Sequence, residues 1–404
     1  MQHRGALGIS RAAMLEKLDQ QPPDALLALI KLYEEDERSD KIDLGVGVYR
    51  TGQGDTPVFS AIKGAERRLV EEQDSKAYLG PEGDMGFVRA LMPHIFGKDA
   101  TMGGRIDGMQ APGGTGGVRL AAAMAKRAGI RRVLMGTPSW PNHAQILADL
   151  GLEAANFNHS TAEGMADLDA LKAALAEAGE GDAVLLHGCC HNPTGIDYAA
   201  EQWDEIAAML ADSSVLPIID LAYQGLGQGM EEDAVGMRKV LAAVPEALIA
   251  YSCDKNFGLY RDRVGAFYVM ASEGGQIDRI MSNGYALARA NWSMPPDHGA
   301  AAVRIVLRDE ALTAEWLDEL DQMRARIRQV RAQLAAAGQV GSLDLTPIDG
   351  QNGLFGMLAL DKNQIQALRS DHAIYMAGSG RINIAGLTED NIDKFISALA
   401  AVAG

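Results

Sequence analysis

Val215-Leu-Pro-Ile-Ile-Asp220 is a short apolar run that ends in a carboxylate, and segments of this kind decide the fold. Short apolar runs bounded by turn-forming residues are typical of strands that are buried on both faces. Further segments share the pattern, at residues 132–136, 183–187, 247–252 and 265–270. Together these runs predict a sheet that is covered on both sides.

Helical patterns separate the apolar runs. Apolar residues recur at helical spacing in the intervening segments, at residues 118–127, 168–178, 201–211 and 236–242. Strands that alternate with helices predict an α/β fold with a mostly parallel sheet. Residues 311–337 predict one long charged amphipathic helix, and residues 389–401 predict a helix near the C-terminus.

This pattern predicts two domains. We expect a large α/β domain at residues 57–310 and a smaller α+β domain built from both chain ends. The smaller domain would combine residues 14–56, an N-terminal arm with a helix at 23–35, with residues 311–404, which include the long linking helix. Residues 1–13 lack the apolar segment of a secretory signal, and we expect them to form a disordered extension.

Composition narrows the class of function. The 404 residues carry 37 Lys and Arg against 54 Asp and Glu, a formal net charge of −17. A field of this sign repels phosphate backbones and anionic lipid, so we expect no nucleic-acid partner and no membrane partner. No apolar run reaches the roughly 18 residues of a membrane helix. Three cysteines are too few for a disulfide scaffold, which indicates a cytoplasmic protein.

A glycine-rich segment is the first candidate for ligand binding. Ala111-Pro-Gly-Gly-Thr-Gly-Gly117 runs directly into a predicted helix, and exposed N–H groups at a helix N-terminus suit a phosphate. The segment is not a nucleotide P-loop, because no Gly-Lys-Ser/Thr follows. It does not fit the dinucleotide fingerprint either, whose third glycine would fall at Arg119. A tight strand-to-helix turn explains the same residues equally well.

Two polar residues follow apolar strands. Asp220 ends one run and precedes Tyr223, and a carboxylate at a strand end could pair with a cationic ring nitrogen. A helix cap or turn residue is the alternative. Lys255 follows another run, and partial desolvation there would lower its pKa and make it a nucleophile. A surface lysine is the alternative for that position.

His187-Gly-Cys-Cys-His191 resembles a metal site at first sight. Adjacent cysteines on extended chain point to opposite sides, so we expect no metal. Asn192-Pro193 instead indicates a constrained turn, with a cis bond as one option, that presents the Asn192 amide.

The remaining candidates are one aromatic residue and two arginines. Trp140 lies between prolines and could offer a flat face to a ring, and Arg289 and Arg381 could bind carboxylates in bidentate fashion. Each residue also has an ordinary structural explanation, in the core or at the surface. Combined with the phosphate segment, the carboxylate and the lysine, the set fits pyridoxal 5′-phosphate acting on an amino acid.

Eight motifs between about residue 14 and the C-terminus occur in a characteristic order. They are Gly45-Val-Gly-Val-Tyr49, Tyr78-Leu-Gly80, Pro112-Gly-Gly-Thr115, Pro138-Ser-Trp-Pro-Asn-His143, residues 187–195, Asp220-Leu-Ala-Tyr-Gln-Gly225, Lys255-Asn-Phe-Gly-Leu-Tyr260 and Arg289-Ala-Asn. With these motifs the sequence resembles the class I aspartate and aromatic amino acid aminotransferases. The resemblance implies fold type I of the pyridoxal phosphate enzymes, with a mostly parallel seven-stranded sheet, and a homodimer with shared active sites.

The resemblance also implies a role for each matching residue around the cofactor ring. Lys255 would link covalently to the cofactor and then move a proton at the substrate Cα. Asp220, supported by His143, would keep the ring nitrogen protonated. Asn192 and Tyr223 would bond the ring oxygen, and Trp140 would stack on the ring.

The other implied roles concern the phosphate and the substrate. Residues implied to hold the phosphate are Gly114, Thr115, Ser252, Arg263 and, from the neighbouring subunit, Tyr78. Arg381 would bind the substrate α-carboxylate beside Gly47. Arg289 of the neighbouring subunit would bind the distal carboxylate of aspartate or glutamate. Substrate binding would close the small domain over the large one.

Three positions depart from the family pattern. Asp254 replaces a residue that is commonly serine, and we expect its carboxylate to turn away from the phosphate because like charges repel. Ala77 and Met294 replace positions that are often Asn, which favours aromatic substrates. Conversely, the residue types associated with aspartate preference are kept at Val48, Thr56 and Thr115.

The expected reaction is transamination of aspartate, and of Tyr or Phe, with 2-oxoglutarate, in a ping-pong mechanism through pyridoxamine phosphate. One alternative is a dedicated aromatic amino acid aminotransferase. Another is a nicotinamide-dependent oxidoreductase, against which the residue at Arg119 and the context of Lys255 argue. A catalytically silent cofactor-binding protein is the third, motivated only by Asp254.

Overall fold

A computed structural model describes residues 14–21 and 25–404, so the expected extension at 1–13 and the first two residues of the helix expected at 23–35 lie outside the described residues. The strands, in chain order, are β1 (Ile42–Asp43), β2 (Ile106–Pro112), β3 (Arg132–Thr137), β4 (Glu153–Asn158), β5 (Asp182–His187), β6 (Leu216–Leu221), β7 (Ala247–Ser252), β8 (Val264–Met270), β9 (Gln339–Val340), β10 (Leu343–Asp344), β11 (Phe355–Met357), β12 (Ile374–Tyr375) and β13 (Arg381–Asn383).

Helices precede, separate and follow these strands. They are α1 (Ala25–Glu35), α2 (Ser60–Glu72), α3 (Met85–Phe96), α4 (Gly113–Arg127), α5 (Pro141–Asp149), α6 (Leu168–Ala176), α7 (Ala200–Ala211), α8 (Val235–Ala243), α9 (Ile277–Asn291), α10 (His298–Arg308), α11 (Glu310–Ala336), α12 (Lys362–His372) and α13 (Ile392–Ala403). The long helix predicted from the sequence is α11. Within the described ranges, no helix combines the length and the apolar character that crossing a bilayer requires.

Seven strands form one sheet in the order β2-β8-β7-β6-β5-β3-β4. Strand β8 runs antiparallel to both of its neighbours, and the other pairs are parallel. The predicted mostly parallel sheet is therefore confirmed. The two edge strands, β2 and β4, were not among the strands predicted from the sequence.

Strand β5 shows why these strands contain uninterrupted apolar runs. Val184 and Leu186 point into one apolar core, whereas Ala183 and Leu185 point into a second core on the opposite face. Helix α4 packs in the second core together with α5 and α9. Because both faces of the sheet are buried, apolar residues are needed at consecutive positions.

The ends of the chain meet away from this sheet. Strand β1 pairs in parallel with β12, with Ile42 opposite Ile374, and β11 pairs antiparallel with β13. Helix α11 reaches back to the large sheet through Trp316, whose ring stacks on Phe257 with centroids 4.3 Å apart. Trp316 Nε1 also donates a hydrogen bond to the Asn256 carbonyl, 2.7 Å away. Helix α11 thus supports the segment that directly follows Lys255.

Candidate active site

The carboxyl ends of three parallel strands bring the central candidates together. Asp220 lies near the end of β6, opposite His187 of β5 and Ala250 of β7. Ser252 ends β7, and Lys255 follows it in the loop before β8. Ligands of open α/β sheets bind in the crevice outside these strand ends, so the fold provides a site here.

Asp220 is held by a chain of polar side chains. His143 Nε2 lies 2.9 Å from Asp220 Oδ2, and both residues are buried. Ser139 Oγ continues the chain, at 3.0 Å from His143 Nδ1 and 3.2 Å from His187 Nε2. One oxygen of Asp220 is thereby fixed. The other, Oδ1, is buried and has no hydrogen-bond partner among the residues that the structure describes.

Two more histidines, His191 and His159, continue this series of contacting side chains. The rings of His187 and His191 are 4.2 Å apart, and His191 stacks on His159 at 3.4 Å between centroids. Burial lowers the pKa of His159 to about 4 and holds the pKa values of His187 and His191 well below the ordinary value. These rings are therefore neutral at physiological pH. Sequence reasoning missed His159, because no local motif marks it.

Lys255 faces the same space. Its Nζ lies 5.2 Å from the centroid of the Tyr223 ring. Burial lowers the pKa of the amine, while the carboxylates of Asp254 and Asp220 act in the opposite direction. A lysine with a lowered pKa is neutral more often, and the neutral amine is the form that attacks a carbonyl.

Asn192 and Tyr223 lie beside each other. Asn192 Nδ2 donates to Tyr223 Oη at 3.4 Å, and the Asn192–Pro193 bond is cis. Asn192 Oδ1 is buried and, like Asp220 Oδ1, finds no partner in the described part of the chain. Burial raises the pKa of the Tyr223 hydroxyl, which is therefore protonated and able to donate. Trp140 is partly exposed, with its ring edge-on to His143 at 5.0 Å between centroids.

The glycine-rich segment forms the first turn of α4 rather than a loop, because the helix begins at Gly113 instead of residue 118. A Cβ on Gly113 would lie 2.6 Å from Arg263 Nη2, and a Cβ on Gly114 would lie 3.0 Å from Ser252 Cβ. Only glycine allows this close approach. The free N–H groups of the helix start, which include those of Gly114 and Thr115, thus lie close to the Ser252 side chain and to a guanidinium.

Asp254 does not turn away from this cluster, contrary to expectation. Its Oδ2 accepts a hydrogen bond from Arg263 Nη1 at 2.5 Å, and its Oδ1 accepts one from the Val264 N–H at 3.1 Å. The residue is only 1% exposed. A guanidinium partner and a backbone donor on one side of the loop hold the carboxylate inward, and sequence reasoning did not anticipate this pairing.

Arg381 and Gly47 both lie against the ring of Phe355. The Arg381 guanidinium lies 4.4 Å from the centroid of Phe355, and its Nη2 donates to the Gly45 carbonyl at 2.8 Å. A Cβ on Gly47 would lie 2.6 Å from Phe355 Cζ. Arg381 Nε is buried and has no hydrogen-bond partner within the described residues. The guanidinium therefore keeps a free donor for an anion.

Tyr78 and Arg289 lie on exposed surface instead. The Tyr78 side chain is 95% exposed, and Arg289, near the end of α9, bonds Ser293 Oγ. The two segments touch, because the Leu79 N–H lies 3.1 Å from Met294 Sδ. Both side chains are thus exposed, on segments that contact each other, and neither lies in the cluster around Lys255.

The predicted geometry of the cysteine pair, extended chain with the two thiols on opposite sides, was wrong. Cys190 has φ +49°, so the chain is not extended there, and both thiols lie within 4.8 Å of the Asp233 carboxylate. Burial raises the pKa of Cys190 to about 12, which disfavours the thiolate that metals bind. The Asp233 carboxylate accepts hydrogen bonds from the N–H groups of Gly225 and Gly227. This cluster is held by internal hydrogen bonds.

Comparison with known proteins gives one consistent result. Residues 39–399 match the family described as aminotransferase class I and II. The tyrosine aminotransferase of Rhizobium meliloti (strain 1021) is 48% identical over 93% of this chain and 96% of the relative. The aspartate aminotransferase of Escherichia coli (strain K12) is 42% identical over 96% of this chain and 100% of the relative.

A solved structure agrees with these relatives. The aromatic-amino-acid aminotransferase from Burkholderia pseudomallei, covalently bound to pyridoxal phosphate, superposes with a TM-score of 0.93 at 33% identity. The match covers 97% of this chain and 100% of that one. With its matching sequence, sheet and clustered strand-end residues, the chain belongs to the class I and II aminotransferase family.

Proposed function

We propose that this protein transfers the amino group of aspartate, and also of Tyr and Phe, to 2-oxoglutarate with pyridoxal phosphate as its cofactor. One observation carries the proposal. Lys255, Asp220 and the cluster formed by the α4 N-terminus, Ser252 and Arg263 converge outside the ends of β6 and β7. We call the cluster of the α4 N-terminus, Ser252 and Arg263 the phosphate cup. The amine, the carboxylate and this cup match the aldehyde, the ring nitrogen and the phosphate of the cofactor.

The residues present fit the cofactor. Asp220 Oδ1 is buried without a partner, and a protonated ring nitrogen would satisfy it. Asn192 Nδ2 and the Tyr223 hydroxyl are neighbouring donors for a ring oxygen. The phosphate would be held by the N–H groups of Gly114 and Thr115 and by the side chains of Ser252, Arg263 and, from the partner, Tyr78.

When bound, pyridoxal phosphate supplies an aldehyde that takes up the amino group and a cationic ring that withdraws electrons from the substrate Cα. The protein supplies the rest. Lys255 removes and returns the proton at Cα, for which its amine must be neutral. Arg381 binds the α-carboxylate beside Gly47, and Trp140 covers the ring. His143 fixes the orientation of Asp220.

Residues from both subunits would contact the substrate side chain. An arginine that forms charge-assisted bonds with a second carboxylate makes dicarboxylates good substrates, and we assign this role to Arg289 of the partner subunit. Ala77 and Met294 give the neighbouring surface an apolar character. That observation favours the second candidate, a dedicated aromatic amino acid aminotransferase. Relatives of both names match the chain.

We also propose that the protein is a homodimer whose active sites contain residues of both subunits. We further propose that it is located in the cytoplasm. The exposure of Tyr78, Leu79 and Arg289, together with the contact between Leu79 and Met294, supports an interface that includes these two segments. Cysteines 189, 190 and 253 are buried free thiols, as is usual in a reducing compartment. Within each subunit, residues 14–56 and 311–404 would form the small domain that closes over residues 57–310. The pairing of β1 with β12 supports this division.

The absorbance spectrum of the purified protein tests the reaction. Addition of aspartate, and separately of phenylalanine, should convert the aldehyde band of the cofactor into the amine band, and 2-oxoglutarate should restore it. Relative rates then rank the two donors and separate the two candidates. Absence of a cofactor band after incubation with pyridoxal phosphate would overturn the proposal.

Arg289→Leu tests the assignment of the distal carboxylate site. We expect kcat/KM for aspartate to fall on the order of a hundredfold, because a charge-paired partner is removed, and kcat/KM for phenylalanine to change far less. Arg279→Leu removes another exposed arginine from the same helix and serves as the control. Unchanged turnover of aspartate would show that Arg289 does not bind the distal carboxylate.

A further inference from the structure

Asp254 introduces a carboxylate into the cup that would receive the cofactor phosphate. Its Oδ2 bonds Arg263 Nη1, and that same oxygen would lie 2.7 Å from a Cβ on Gly113, the first residue of α4. Arg263 Nη2 lies 2.6 Å from the same point. The carboxylate and the guanidinium therefore lie together over the helix start where an anion would bind.

Among the described residues, the cations that face the Asp254 carboxylate are Arg263 and Lys255. Lys255 would be engaged at the aldehyde of the cofactor, so Arg263 is the cation left for its phosphate. Asp254 also acts electrostatically on the Tyr260 phenol and the Cys253 thiol. Burial raises the pKa values of both groups, so both stay neutral and contribute no charge to the phosphate site. Arg263 is thus shared between two anions.

The commonly found serine at this position would leave Arg263 to the phosphate alone. The aspartate of this chain places a second acid on the same guanidinium. A phosphate monoester carries a charge between −1 and −2 near neutral pH, so an ionised Asp254 repels it. A protonated Asp254 removes that repulsion and adds an O–H donor.

We propose that Asp254 competes with the cofactor phosphate for Arg263, so that the enzyme holds its cofactor tightly when Asp254 is protonated and more weakly when it is ionised. This inference rests on the proposed function, since it assigns the cup to pyridoxal phosphate. Asp254 then acts as a positioning residue that links cofactor retention to pH, and it does not touch the reacting atoms.

The direction of the pH effect follows from linkage. Burial already raises the pKa of Asp254 above the ordinary value of a carboxyl group, and a neighbouring phosphate raises it further. A ligand that raises the pKa of a group binds best when the group is protonated, so affinity falls as pH rises through that pKa. Each pKa unit added by the phosphate corresponds to about a tenfold loss of affinity at high pH.

Release of pyridoxamine phosphate from the loaded enzyme tests the proposal. This form of the cofactor has no aldehyde and cannot link to Lys255, so its release reports the non-covalent contacts. The loaded protein is diluted into excess inorganic phosphate, and free cofactor is measured by its fluorescence between about pH 5 and pH 8.5. The proteins compared are the wild type, Asp254→Asn, Asp254→Ser and the control Asp262→Asn.

At the upper end of this range, we expect the wild type to release cofactor on the order of ten times faster than Asp254→Asn. The ratio should approach one at the lower end. The ratio of the two release rates removes the effect of phosphate titration, because the phosphate titrates in both proteins. Asp254→Ser should behave like Asp254→Asn, and Asp262→Asn, which removes an acid outside the Arg263 pair, should behave like the wild type.

Other results would overturn the inference. Equal release by the wild type and Asp254→Asn at every pH would show that Asp254 only anchors the loop through Val264. Faster release by Asp254→Asn would show that the carboxylate orients Arg263 toward the phosphate. In both cases the cofactor binds and the proposed function stands. Failure of every protein, including the wild type, to bind pyridoxamine phosphate would overturn the proposed function itself.

Discussion

At Lys255 two influences on the amine oppose each other. Burial lowers its pKa, whereas the carboxylates of Asp254 and Asp220 raise it, and the net direction is downward. A pKa below the ordinary lysine value increases the neutral fraction at physiological pH. A larger fraction of the Lys255 amine is therefore in the neutral form that can attack a carbonyl than for an exposed lysine, and Asp254 limits this effect.

Competitive acetylation of the cofactor-free protein measures this balance. We expect the reactivity of Lys255 to rise with pH and to level off at a lower pH than that of an ordinary lysine, because only the neutral amine reacts. In Asp254→Asn the midpoint should move lower still, since a neighbouring negative charge is lost. Peptide mass spectrometry follows each lysine separately, with the exposed Lys63 as internal reference. A midpoint for Lys255 at or above the ordinary lysine value would contradict the burial argument.

At this scale the sequence predicted individual residues better than their partners. Asp220 and Lys255 could be singled out because each follows an apolar strand. The Asp254–Arg263 pair could not, because it depends on a backbone turn in which Arg263 adopts φ +56°. His159 could not be found either, since the stack with His191 joins segments that are remote in sequence.

Among the elements, the junction of β2 and α4 imposes the strictest requirement on its residues. Gly113 has φ +67°, a conformation that favours glycine, and the space beside it is filled by Arg263 and Asp254. The turn therefore needs glycine for two separate reasons, backbone conformation and close approach.

Gly113→Ala tests both reasons against a matched control. Gly338→Ala places the same side chain at φ +60° with no atom within 4 Å, so it measures the backbone cost alone, about 1 kcal/mol. We expect Gly113→Ala to lower the free energy of unfolding by about 1–3 kcal/mol more and to weaken cofactor binding, because the methyl group displaces Arg263. Denaturant unfolding and cofactor titration measure the two effects. Equal effects of both substitutions would show that close approach does not matter.

The strands that sequence patterns did not predict are the two edges of the sheet. Strand β4 has mostly polar or small residues because much of it is exposed. Strand β2 is largely buried but contains Gln110, whose side chain accepts from the Asp84 N–H and donates to the Pro296 carbonyl. Those partners come from distant loops, so no local pattern could reveal that the glutamine is satisfied inside the protein.

At the scale of the whole molecule, the proposed site is incomplete within one chain. Arg381 and Lys255 are half-buried, whereas Tyr78 and Arg289 lie on exposed surface. If two chains exchange these exposed residues, each site depends on both subunits, and variants on different chains can complement each other.

Hybrid dimers of Lys255→Ala and Arg289→Leu test this exchange. The site that keeps Lys255 would receive Arg289 from the other chain and be complete, while the second site would lack both residues. We therefore expect the purified hybrid to show about half of the wild-type aspartate turnover, although each parent variant is impaired. Two differently tagged chains allow isolation of the hybrid. A hybrid no more active than its parents would place Arg289 in the site of its own subunit.

The pairing of β1 with β12 also sets an order of events during synthesis. All strands of the large sheet lie between residues 106 and 270. The whole sheet is therefore synthesised about a hundred residues before β12. Leu44, fully buried in the finished protein, bonds the Tyr375 carbonyl through its N–H, and Ile42 lies opposite Ile374. The apolar side chains of this early segment therefore stay uncovered until residues 374 and 375 have been synthesised, late in translation.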